Sequence, residues 1–324
     1  MLAAITEYNF LFNSLLAVIF GSITAGIAGS YIVSKKMVFL SGGITHASFG
    51  GIGIAFFAGI SPVLGAACFG VASAMGIQYM ALKQKVSEDS AIGFLWAFGM
   101  AVGIIFIYLT PGYTPDLMSY LFGSILTINS TDLLALAVLA VILLLFFIRY
   151  YRLILYVAFD EEFARTFTSR VDLFKYVLIV LVSLVIVLNI RIAGVVLVLS
   201  LLTIPPNIAL LFTRNFARMI IISILSGFIG MFTGLVASWY MNIPTGATII
   251  FTLVLLWILS RVMVWACTPR PDPGLGRDKP VAYGVKAKYE PSPKPSGRDH
   301  EPRNPKPETR NPKPETRTPK PDIL

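Results

Sequence analysis

Residues 132–150 read DLLALAVLAVILLLFFIRY. Between Asp132 and Arg149 lie sixteen consecutive residues without a polar side chain. As an α-helix rising 1.5 Å per residue, the stretch covers about 28 Å, close to the roughly 30 Å hydrocarbon core of a bilayer. A helix that is apolar on every side has no face to offer water. It is enclosed by protein or lies in lipid. The pattern recurs outward in both directions, at about 10–34, 44–60, 62–82, 91–110, 173–190, 192–212, 217–240 and 244–265. The 44–60 run is short, so the count is nine spans, or eight with a re-entrant segment. The chain therefore reads as an all-α, polytopic membrane bundle occupying residues 1–267.

Composition agrees. The 324 residues are 56% hydrophobic and 13% charged, outside the range of a water-soluble domain. The net charge of +9 divides into two kinds. Residues 1–267 carry 13 basic and 9 acidic side chains, and residues 268–324 carry 13 and 8. In the bundle the basic residues sit in short loops, which sets topology and does not indicate a nucleic-acid partner. Lys35 and Lys36, Lys83 and Lys85, Arg149 to Lys175, Arg214 and Arg218, and Arg261 mark alternate loops. Arg191 is the exception. The positive-inside rule then predicts an outside N-terminus and a cytoplasmic C-terminus. MLAAITEYNF, residues 1–10, has Glu7 and no basic residue, unlike a signal-peptide n-region, so the first run is expected to be a retained span. Cys68 and Cys267 are far apart in sequence and are expected to be free thiols.

The 268–324 tail has 14 of the chain's 20 prolines and repeats NPKPETR at 304–310 and 311–317. It cannot bury enough apolar surface to fold, and is expected to be disordered and cytoplasmic. Small residues four apart (Gly21, Ala25 and Gly29; Ser226, Gly230 and Gly234) predict close helix packing, within the bundle or at a dimer seam.

Three polar features interrupt this apolar background. The first is the long stretch from Arg149 to Lys175. It contains DEEFARTF, in which Asp160, Glu161 and Glu162 precede Ala164 and Arg165. Acids first and base last suit a helix dipole. Phe163 and Phe167, four apart, give that helix an aromatic face. Two readings stand: a helix that docks a soluble partner, or one lying among lipid headgroups. The second is GGITHASFGGIG, residues 42–53, with five glycines and the lone histidine of the apolar region, His46. Polar groups within membranes are costly and tend to line a cavity or pathway; the alternative is a hydrogen-bonded packing residue. The third is TIPPN, residues 203–207. Pro205 and Pro206 predict an interrupted helix, with Thr203 and Asn207 beside it; a simple kink or a helix end is the alternative. Asp116, in TPGYTPD, is expected near the outer face, either meeting an incoming cation or as an ordinary loop residue.

Six segments in order resemble the permease subunits of the ABC importers for zinc, manganese and chelated iron. They are KKMVFLSGGITHASFGGIGIAFFAG (35–59), EDSAIGFLWAFGMAVGIIFI (88–107), YLFGSILTINSTDL (120–133), FDEEFARTF (159–167), GVVLVLSLLTIPPNIALL (194–211) and NIPTGATIIF (242–251). The resemblance implies a type II importer-like bundle that pairs with a second permease in the cytoplasmic membrane of a bacterial-type cell. Two ATPase subunits would power it, and an extracytoplasmic binding protein would deliver the metal. It makes Asp160, Glu161, Glu162, Phe163, Ala164, Arg165 and Phe167 the segment that couples to the ATPase. His46, with Thr203 and Asn207, becomes a candidate station for the transported ion. The ion is cargo; no bound cofactor is implied. One departure stands out. The family's segment has an aspartate one turn before the histidine, and here that position is Gly42. Imidazole alone is a weaker ligand, and it suits zinc or iron as well as manganese.

No GxxxxGK[ST] phosphate loop occurs, so ATP hydrolysis is expected in a partner. A vitamin or siderophore permease is the nearest alternative. An autonomous channel or ion-coupled transporter would ask for several ionisable groups within the spans, which are nearly bare of them. A membrane scaffold would leave the acidic segment unexplained.

Overall fold

The computed structural model describes residues 9–84, 86–111, 123, 125 and 128–267. Asp116 and the 268–324 tail lie outside them. The described residues form ten α-helices: α1 Asn9–Ser34, α2 Val38–Ala58, α3 Pro62–Lys83, α4 Glu88–Leu109, α5 Ser130–Phe159, α6 Glu161–Phe167, α7 Val171–Ala193, α8 Val195–Phe212, α9 Phe216–Met241 and α10 Thr245–Cys267. Nine, all except the short α6, are long and apolar enough to cross a membrane.

The second span is full length. It begins at Val38, six residues before the apolar run, and extends for 21 residues. Its mean hydropathy of 1.3 is the lowest of the nine, yet 78% of it is buried, the highest share. The two facts have one cause. α2 packs against α3 and α4 and also touches α7 and α8, so it can carry Ser41, Thr45, Ser48 and glycines where a lipid-facing helix needs hydrocarbon. A Cβ at Gly51 would collide with the backbone of Gly65 on α3, and one at Gly53 with Gly103 on α4. Backbone-to-backbone approach of this kind is how helices gain contact in lipid, where no hydrophobic drive pulls them together. The other small-residue positions are likewise spent inside the bundle. Gly26 faces Ile224, while Gly230 and Gly234 face Leu253 and Ile249.

α5 is longer than the apolar run from which it was read. It spans 30 residues, with a kink at Tyr150 (φ −111°, ψ 19°). The stretch from Arg149 to Lys175 is therefore mostly helix: the end of α5, then α6, then the first turn of α7. Ile154 and Val157 have no exposed surface and anchor the extension.

α8 also departs from expectation, because it runs unbroken through Pro205 and Pro206. Proline has no N–H, so the carbonyls of Leu201 and Leu202 lose their usual partners. The Leu202 oxygen and the Pro206 ring both press towards Gly29 of α1, and a side chain there would strike them. The bare Cα of Gly29 lets α1 close over this surface.

Arg191, the exception in the charge pattern, lies in the last turn of α7. Its Nε donates to Asp132 Oδ2 at 3.1 Å. Paired with an acid at the start of α5, it adds no net charge to that end of the bundle. Asn189, two residues earlier, donates to Thr24 Oγ1 at 3.1 Å and to its own helix at Val185, tying α7 to α1.

Candidate coupling helix and histidine station

α6 is built as its sequence predicts. Asp160 is its N-cap and accepts from the Phe163 backbone N–H at 2.9 Å. Glu161 and Glu162 occupy the first turn and Arg165 the last, each sign at the end of the helix that favours it. Ala164 is fully buried and forms the foot on which the helix rests. A bulkier side chain there would lift α6 off the bundle.

Glu161 is the hub. Lys175 Nζ of α7 donates to both of its carboxylate oxygens at 3.0 Å. Arg165 Nη2 reaches Oε1 at 3.1 Å, and Lys35, just beyond α1, lies 3.6 Å from Oε2. Lys35 also donates to the Val157 carbonyl of α5 at 2.9 Å. Arg165 continues to Asp172 at 2.7 Å. One carboxylate thus fastens the ends of α1 and α7 to the short helix, and Lys35 carries the link on to α5. Partial burial pushes the Glu161 carboxyl up, but the hydrogen bond and charge of Lys175, with Arg165 and Lys35, outweigh it and hold it below the usual value. Arg165 is pushed further up by Asp172 first and Glu161 second.

Phe163 and Phe167 share one face, as their spacing predicts. Tyr156 of α5 organises them: Phe163 meets its ring edge-on at 5.0 Å and Phe167 stacks on it at 5.1 Å. The trio remains open, with Phe163 45% and Phe167 62% exposed, beside Phe159 at 62%. This gives a rigid aromatic surface flanked by the exposed Glu162 and Thr166. Lys35, Lys175, Asp172 and Tyr156 were not legible as parts of this site. Lys35 and Lys175 are spent on topology in a linear reading, and only the packing of α1 and α7 beside α6 shows their second use.

His46 lies two turns into α2, about 12 Å of helix rise from its start. It is half-buried. Its ring stacks flat on Trp96 of α4, with centroids 4.2 Å apart and planes 8° apart. Among the described residues it has no hydrogen-bond partner. Gly42, one turn earlier, faces Trp96 and Leu199, and a Cβ there would sit at 3.7 and 3.9 Å, ordinary contact distances.

Thr203 and Asn207 stand elsewhere. They line a groove with Ile204, Val254 and Trp257, between α8 and α10. Thr203 Oγ1 donates to the Leu199 carbonyl at 2.8 Å and Asn207 Nδ2 to the Thr203 carbonyl at 2.8 Å, so both donors are used within α8. His46 is not among the lining residues of that groove. Among the described residues no three His, Cys, Asp or Glu side chains converge.

The model of the ABC 3 transport family matches residues 7–264. The chain is similar to a probable metal transport system membrane protein of Chlamydia muridarum, 33% identical over 270 residues that make up 81% of this chain and 92% of the relative. It is 29% identical over 259 residues to the manganese transport system membrane protein MntC of Listeria monocytogenes, covering 80% and 92% of the two chains. Among solved structures it resembles PsaBC from Streptococcus pneumoniae in complex with Fab, with a TM-score of 0.72 and 28% identity over 80% of this chain and 93% of the other.

Proposed function

The chain belongs to the ABC 3 transport family, and on that premise we propose that it is the permease subunit of an ATP-powered importer. The cargo is a divalent transition metal (zinc, manganese or iron), in keeping with relatives named for metal and manganese transport. ATP hydrolysis falls to a partner ATPase on the cytoplasmic side. Two copies of this chain form the path, and an extracytoplasmic protein delivers the ion. The N-terminus lies outside and α6 faces the cytoplasm, the side that Lys35, Arg149, Arg152 and Lys175 favour.

The observation that carries this reading is the build of α6. A seven-residue helix floating among headgroups needs no fastening. This one is capped by Asp160, seated on Ala164 and tied through Glu161 to α1 and α7, while Phe163 and Phe167 stay exposed. Force applied to such a helix reaches the spans rather than bending a loop. His46 lines the path in this reading, and Thr203 and Asn207 border a separate part of it.

Coexpression with a candidate ABC ATPase and a candidate metal-binding protein from the same genome tests the proposal. The wild-type chain is expected to copurify with the ATPase and to support ATP-dependent uptake of radiolabelled metal. Phe163→Asp with Phe167→Asp should abolish both while leaving the chain folded in the membrane. Undiminished copurification of the double variant would remove α6 as the docking element. His46→Ala should lower uptake without loosening the ATPase.

A further inference from the structure

Among the described residues the imidazole of His46 makes one ring contact, with Trp96, and no hydrogen bond. On α2 the hydroxyls around it are turned inward: Ser41 donates to the Val38 carbonyl at 2.7 Å, Thr45 to Ser41 at 2.6 Å and Ser48 to Ile44 at 2.7 Å. On α4 the ring of Trp96 covers one face of the imidazole. Towards Gly42 the next atoms are Trp96 Cζ3 and Leu199 Cδ1, both hydrocarbon. No Asp or Glu occurs in α2 or α8, and none in α4 beyond Asp89.

Gly42 is unlike the glycines that follow it. At Gly43, Gly50, Gly51 and Gly53 a Cβ would collide with a neighbouring helix, so packing forbids a side chain. At Gly42 a side chain fits at van der Waals distance. Its absence is not a packing requirement. It leaves the side of His46 one turn below without an oxygen donor.

A stacked imidazole keeps its nitrogens free, because the lone pair of one and the N–H of the other lie in the ring plane and stacking uses only the face. The indole fixes that plane and excludes water from one side. Imidazole suits zinc, iron, copper and nickel, whereas carboxylate and water suit manganese, magnesium and calcium.

We propose that Trp96 is the positioning residue of the His46 station, and that with Gly42 it makes the station selective for imidazole-preferring ions such as zinc over manganese. This rests on the reading of His46 as lining the path and names the cargo class for it.

The test has two parts. In the assembled transporter, uptake of radiolabelled zinc and manganese is compared at equal free concentration for wild type, Gly42→Asp, Trp96→Ala and Trp96→Phe. In the purified full chain in nanodiscs, zinc or manganese alone is titrated calorimetrically, and the His46→Ala signal is subtracted. Wild type should favour zinc in both. Gly42→Asp should shift the zinc-to-manganese ratio about tenfold towards manganese. Trp96→Ala should weaken His46-dependent zinc binding about tenfold, in the range seen when groups that orient a metal ligand are removed, and Trp96→Phe, which keeps a stacked ring, should restore most of it. An unchanged ratio in a folded, transporting Gly42→Asp variant overturns the selectivity role. Equal His46-dependent binding in Trp96→Ala overturns the positioning role. Zinc binding that depends on His46 and Trp96, in a chain that drives no uptake of either metal, would sink the importer reading and leave the site standing.

Discussion

Replacing Glu161 by Gln tests whether α6 is clamped by charge. The substitution keeps the size of the side chain and one acceptor oxygen, so what disappears is the carboxylate at the centre of Lys35, Arg165 and Lys175. The Lys175 side chain is only 11% exposed and donates to both oxygens, whereas the Arg165 side chain is 48% exposed and Lys35 stands at 3.6 Å. A charge-assisted hydrogen bond contributes about 1.5–3 kcal/mol and a solvated ion pair about 0.2–1 kcal/mol. With Gln still accepting once from Lys175, the net loss should be about 2 kcal/mol. For a bundle of this size that lowers Tm by about 4–8 °C, at roughly 2–4 °C per kcal/mol. Thermal unfolding in nanodiscs, followed by tryptophan fluorescence, reads it directly. The pH dependence adds a second signature. The folded-state pKa of Glu161 is depressed below the ordinary 4.5, so its contribution is fully present above that value and is lost as pH falls through the lower folded-state pKa. Wild type should lose this increment on acidification, and the variant, having none, should show a shallower decline. Equal Tm values at pH 7, or identical acid profiles, would refute the clamp and leave α6 held by Ala164 and the aromatic trio alone.

Four further outcomes follow from the packing. Gly51→Ala should destabilise by about 1–3 kcal/mol, because its Cβ meets the Gly65 backbone. Gly93→Ala, with open space around it, should be neutral or stabilise by about 0.5–1 kcal/mol through helix propensity, so paired unfolding curves separate space from conformation. Asp160→Ala removes the cap of α6 and should cost about 1 kcal/mol, read as faster amide exchange at Phe163 and its neighbours. Arg191→Ala breaks an exposed pair with Asp132 and should change stability by less than about 1 kcal/mol; a larger drop in Tm would mean that the pair holds α5 to α7.

The all-helical class, most span positions, the acid-to-base order of α6 and its two phenylalanines are legible in the linear chain, because each depends on hydropathy or on spacing within one helix. A lipid-exposed helix such as α5 must be apolar around its whole circumference, so composition alone reveals it. The start of α2 was missed for the converse reason. A helix enclosed by protein is released from that demand, and Ser41, Gly42 and Gly43 resemble a loop until α3, α4 and α8 are placed around them. Pro205 and Pro206 misled in the same way. Whether freed carbonyls break a helix depends on what packs against them, and here it is Gly29, over 170 positions away in sequence.

Function divides along the same line. That His46 and the 160–167 segment are the candidates followed from residue type, since an imidazole inside a membrane and an acidic turn between spans are both costly without a purpose. Their partners had no local signature. Trp96 lies on another helix and reads as one more aromatic in an apolar run. Lys35 and Lys175 are 140 positions apart and read as topology signals, yet both converge on Glu161. Hydropathy and spacing act along the chain and are written in it. The stacking of a ring on a ring and the meeting of three cations at one carboxylate act across space, and they came into being only when the helices closed on one another.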